Sequence, residues 1–170
     1  VKIRIPLFAI AMVSILAVAG CVQKAEETNK PSIGLTGAWR STVQFQTGAF
    51  ASVKDLEFMY VFNSGGTMTE SSNYDGAPPV PPAYGIWREV GQNQFEARYE
   101  FYSTRLPDSA DGMALGAGFL PAGRGILTEK IALSADGNAF SSQIRLELLD
   151  KSGVKIDSGE ATSTGRRVTF

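Results

Sequence analysis

From Gly37 onward apolar and polar residues alternate along the chain, the pattern of strands with one buried face. Trp39, Ser41, Val43 and Phe45 fall on one side of the first run, and Arg40, Thr42, Gln44 and Gln46 on the other. Phe50 to Lys54 reads as a loop. A second run groups Leu56, Phe58, Tyr60 and Phe62, with Met59 and Val61 softening the opposite face. Asn63-Ser64-Gly65-Gly66 predicts a hairpin turn, because glycine supplies the positive φ such turns need. Thr67 to Asn73 returns as a third, more polar strand.

The run Ala77-Pro78-Pro79-Val80-Pro81-Pro82 excludes a sheet ladder, since proline lacks the donor and fixes φ, so a stiff loop is expected there. Tyr84 to Val90 forms a fourth strand with Gly85 and Trp87 on one face. The fifth is the clearest, Phe95, Ala97, Tyr99 and Phe101 opposing Glu96, Arg98, Glu100 and Tyr102. Arg105 to Gly123 breaks the rhythm with the glycine-rich apolar stretch Met113 to Leu120, which predicts a plug or lid over an open end of the core. Arg124 to Ser134 resumes as a sixth strand in which Glu129 shares the inner face with Gly125, Leu127, Ile131 and Leu133. Turns at Ala135 to Asn138 and Asp150 to Gly153 bound a seventh strand, with Phe140, Ser142, Ile144, Leu146 and Leu148 inward. Val154 to Val168 is the eighth, carrying small residues at every second place: Gly159, Ala161, Ser163 and Gly165.

Eight strands joined mostly by tight turns predict an all-β fold, an antiparallel up-and-down meander. Left open, such a sheet would expose two edges, and closure into a barrel removes them. An eight-stranded barrel is wide enough to be filled by side chains or to hold one small ligand.

Before Gly37 the pattern differs. Lys2 and Arg4 precede an apolar run from Leu7 to Val18, too short for a comfortable membrane span, and small residues follow, which is the layout of a secretory signal. Val18-Ala19-Gly20-Cys21 resembles the bacterial lipoprotein box, which implies removal of residues 1–20, lipid on the sulfur of Cys21, and anchorage in the cell envelope. Val22, where inner-membrane retention would place an aspartate, favours an outer membrane where the organism has one. The polar segment from Val22 to Ser32 reads as a flexible tether, so residues 21–34 link the anchor to a domain at 35–170.

Two further motifs give that domain a resemblance. Gly37-Ala38-Trp39 at the first strand is similar to the G-x-W of the lipocalin-like (calycin) barrels, and Gly165-Arg166-Arg167 to their late arginine. The resemblance implies a lipocalin-like barrel in which Arg167, or failing it Arg166, stacks on Trp39 at the closed end as a structural pair.

Composition narrows the chemistry. Without residues 1–20 the chain holds 14 basic and 17 acidic residues, a net charge of −3, so nothing favours nucleic acid as a partner. Histidine is absent and Cys21 is the sole cysteine, which excludes Ser-His-Asp and Cys-His mechanisms and removes the usual metal and haem ligands. No cofactor is expected. The leading expectation is a non-catalytic carrier of a small apolar molecule, with Phe58, Tyr60, Trp87, Tyr99, Phe101, Glu129 and Ile144 as candidate contacts. The alternative is a filled barrel that presents loops to a protein partner. As an enzyme the chain would offer Glu129 as a base, although pairing with Arg98 or Arg124, or exposure after a bulge, is the plainer expectation for that acid.

Overall fold

A computed structural model describes residues 34–74, 80–108, 112 and 118–170. The expected signal segment, Cys21 and the tether up to residue 33 lie outside the described residues, as do residues 77–79 of the proline run and 113–117 of the apolar stretch.

Eight antiparallel strands pair in chain order into a closed barrel. They are β1 (Gly37–Phe45), β2 (Leu56–Phe62), β3 (Thr67–Ser72), β4 (Ala83–Gly91), β5 (Gln94–Arg105), β6 (Leu120–Leu133), β7 (Ala139–Asp150) and β8 (Lys155–Arg167). Closure runs from the Trp39–Arg167 pair to the Phe45–Ala161 pair along β1 and β8. Outside β3, to which the alternation assigns no face, the inward sets are those expected, from Trp39, Ser41, Val43 and Phe45 in β1 to Ala161 and Ser163 in β8. Outward positions such as Arg40, Thr42, Lys130 and Arg145 face water. This polarity is the reverse of a membrane-spanning barrel, whose apolar face is its outer one.

The expected break from Arg105 to Gly123 is shorter than its composition suggests. After a bulge at Ser103/Thr104, Thr104 pairs with Pro121 and Arg105 with Leu120, so Leu120 to Gly123 belong to β6. A bulge tolerates proline and glycine that a regular ladder would not.

Glycine makes room for aromatic rings where the wall curves. A Cβ on Gly125 would lie 2.2 Å from the Phe101 ring, and one on Gly165 2.2 Å from Phe140. The two barrel ends differ. Tight connections at 63–66, 92–93 and 134–138 define a turn end, while the longer segments 46–55, 73–82 and 106–119 define a loop end.

The turn end is sealed by one cation. The Arg167 guanidinium lies 4.3 Å from the centroid of the Trp39 ring. Its Nη1 donates to the Thr36 carbonyl at 2.7 Å, and Nη2 to the Gly34 carbonyl at 2.9 Å. Nε and Nη2 both donate to the Gly137 carbonyl, at 3.0 and 2.9 Å. Beneath it the Trp39 indole N–H donates to the Leu35 carbonyl at 2.8 Å. Arg166, the other arginine of the motif, points to solvent.

Stacking and charged hydrogen bonds together predict that Arg167→Ala lowers stability by about 2–4 kcal/mol. Arg167→Lys restores only part of this, because one ammonium cannot replace the planar fork. Arg166→Ala stays within about 0.5 kcal/mol of the parent. Urea denaturation checks all three, and an unchanged midpoint for Arg167→Ala would contradict the clamp.

Candidate functional site

Midway along the tube, alternation turns two acids inward, Glu129 from β6 and Glu70 from β3. They are the only charged side chains buried among the described residues, at 1% and 6% exposure. Their surroundings differ.

Glu129 is fully served by hydroxyl groups. Ser142 donates to Oε1 at 2.5 Å, Tyr60 to the same oxygen at 3.5 Å, and Tyr99 to Oε2 at 2.9 Å. Ser163 lies 2.7 Å from Ser142 and extends the network to β8. Burial raises the Glu129 carboxyl to about 7, while the donated hydrogen bonds from Ser142, Tyr99 and Tyr60 pull the other way. Burial, and then the nearby negative charge, also push the Tyr60 and Tyr99 phenols well above their usual range, so both stay neutral donors. The expected pairing of Glu129 with Arg98 or Arg124 does not occur. Both arginines sit on outward positions, where they pair with Glu100. A one-residue offset places side chains on opposite faces of a strand, so an odd spacing from Glu129 puts Arg98's neighbour in β6, Thr128, and Arg124 itself on the outer wall.

Glu70 is not served. Its Oε1 is buried and has no hydrogen-bond partner among the described residues. Burial, followed by the negative charge of Glu129, raises its carboxyl to about 8. The side chain lines a cavity of about 30 Å³ at the loop end, walled by Phe58, Phe101, Leu127 and Leu146. Phe45, Phe50, Tyr74 and Val80 close the mouth. There the Phe50 ring stands edge-on to Tyr74 at 5.7 Å and lies 5.5 Å from Phe45. Much larger hollows, of about 860 and 610 Å³, lie on the outer wall across β4 to β8 among outward residues such as Arg88, Arg98, Lys130 and Gln143. They lack the apolar enclosure and convergent polar group of the interior cavity.

The sequence-derived candidates therefore separate. Phe58 and Phe101 line the cavity. Tyr60, Tyr99 and Glu129 form the polar layer beside it. Ile144 is buried opposite Glu129 on β7. Trp87 belongs to the turn end, edge-on to Phe62 and tilted against Phe95, with its indole N–H on the Asn63 carbonyl. Glu70 and Ser142 complete the candidate site and are absent from the contacts expected from the sequence. Glu70 shares the parity of Met68, so period two in β3 does point it inward. Among the described residues no group of three or more acidic, histidine or cysteine side chains is arranged to hold a metal ion.

Both acids keep their protons to higher pH in the folded chain than in the unfolded one. Between about pH 4.5 and 8 the folded state therefore binds more protons, and stability falls across that window as the pH rises. Asp136 and Asp150, held low chiefly by serine hydroxyls, titrate below it. The expected outcome is a urea midpoint that drops between pH 5 and pH 8.5, with Glu70→Gln keeping only the part of the drop due to Glu129 and exceeding the parent at the higher pH. Equal profiles for parent and variant would contradict the burial of a charge at this position.

No protein-family model matches the chain and no curated protein matches it in sequence, so the chemistry of the site is read from its own geometry.

Proposed function

We propose that the chain is an envelope lipoprotein, anchored through lipid on Cys21, whose barrel binds a small, largely apolar molecule at its loop end. The observation that carries the binding reading is the Glu70 carboxylate oxygen, buried and without a partner among the described residues, facing an otherwise apolar cavity. A buried polar atom left unmade costs about 1–3 kcal/mol, and more for a charge, so its retention calls for a partner beyond the described residues. An apolar pocket with one fixed polar group is also the usual composition of a small-molecule site. A cavity of about 30 Å³ is smaller than such sites, so a ligand takes its place by displacing the caps Phe50, Tyr74 and Val80, which are only partly buried. The basic start, short apolar run and Val18-Ala19-Gly20-Cys21 box support the anchor.

One observation favours a second reading. The same 30 Å³ has room for a water molecule or two and nothing more. In that case Glu70 is served by trapped water, the barrel is a filled scaffold, and its loops meet a protein partner.

A neutral fluorescent apolar dye, N-phenyl-1-naphthylamine, separates the two with the full chain. Saturable binding of one dye per chain, faster in Phe50→Ala, is the expected result. No saturable signal in parent or variant, together with no small molecule retained in native mass spectrometry, selects the filled scaffold. For the anchor, tritiated palmitate fed to expressing bacteria labels the parent chain and leaves Cys21→Ser unlabelled. Equal labelling of both would overturn it.

A further inference from the structure

The interior is electrically one-sided. Its only buried charges among the described residues are the two acids, and none of the described lysines or arginines is buried. Glu129 already accepts from three hydroxyl groups, whereas Glu70 presents an oxygen with no donor into the apolar cavity. A ligand head that only accepts hydrogen bonds can take the proton of neutral Glu70 but leaves the ionised acid unmade. A carboxylate head would bring a further negative charge beside two acids in a space with low dielectric and no buried cation among the described residues, where like charges repel strongly. A protonated amine satisfies both demands, giving N–H donors to Glu70 and positive charge beside two acids.

Resting on the binding reading above, we infer that the ligand class of this cavity is a short alkylammonium amphiphile, its nitrogen on Glu70 and its tail among Phe58, Phe101, Leu127 and Leu146. Fatty-acid anions are selected against. The groups that face Glu70 or the cavity are Glu129 from β6, Tyr60 from β2, Tyr99 from β5 and Tyr74 at the mouth. With Tyr60 and Tyr99 held neutral, the acids govern the pH response. Glu70 carries a proton at neutral pH in the empty barrel, so the incoming cation ionises it and a proton is released. Amine affinity therefore rises from about pH 6 to pH 8.

Calorimetric titration of the full chain at pH 8 with hexylamine, hexanol and hexanoate tests this. The amine is expected to bind about tenfold or more tighter than hexanoate, with the alcohol between, as one buried charge contact warrants. Glu70→Gln, nearly the same shape, erases the amine preference while leaving hexanol unchanged. Titration of the unsubstituted chain in two buffers of different ionisation enthalpy reads the proton release directly and needs no variant. Hexanoate binding as tightly as hexylamine, an amine preference that survives Glu70→Gln, or amine binding without proton release would overturn the inference while leaving the pocket intact. Failure of all three compounds to bind would overturn the pocket and the inference together.

Discussion

The hydrogen-bonded seam between β1 and β8, from Trp39–Arg167 to Phe45–Ala161, is the constraint on which the remaining structure depends. It removes both sheet edges and creates an inside. Without an inside, neither Glu129 nor Glu70 would be withdrawn from water, and neither would have an unusual proton affinity. The seam is held at one end by Arg167, which spans the carbonyl groups of Gly34, Thr36 and Gly137 and lies on the Trp39 ring. Along the seam the partners in β8 are small, Ala161, Ser163 and Gly165, which lets the strand bend where the tube must close.

Within the tube the same strand alternation produces two acids of opposite character. Glu129 sits in the tier where Tyr60, Tyr99 and Ser142 converge, and their hydroxyl groups support its ionised form. Glu70, opposite Tyr60 in the β2–β3 register, also lines the loop-end cavity among phenylalanine and leucine side chains, and no donor among the described residues reaches Oε1. Each negative charge also raises the proton affinity of the other groups around it. Burial raises both carboxyl groups, but only Glu129 has hydroxyl donors that pull back towards the ionised form.

Much of this was legible in the chain. Period two gave the eight strands, the inward face of Glu129 and the lining roles of Phe58 and Phe101, because one buried face forces alternation. Glu70 was hidden by its strand: Thr67-Met68-Thr69-Glu70-Ser71-Ser72 offers a single apolar residue, so the parity that points Glu70 inward has one marker. Trp87 shows a different limit. Parity reports the face of a strand and not the height along the tube, and the tryptophan lies at the turn end, away from the cavity. The volume of the cavity was invisible as well, since it depends on how rings such as Phe101 settle over Gly125 on the neighbouring strand.

The most direct test of the central claim, an unserved acid withdrawn from water inside a closed barrel, is the titration of the Glu70 side-chain carboxyl carbon by NMR in the full chain. The expected midpoint lies near pH 8. A midpoint at the ordinary carboxyl value near 4.5 would mean that water or a donor already reaches the group, and would contradict the claim.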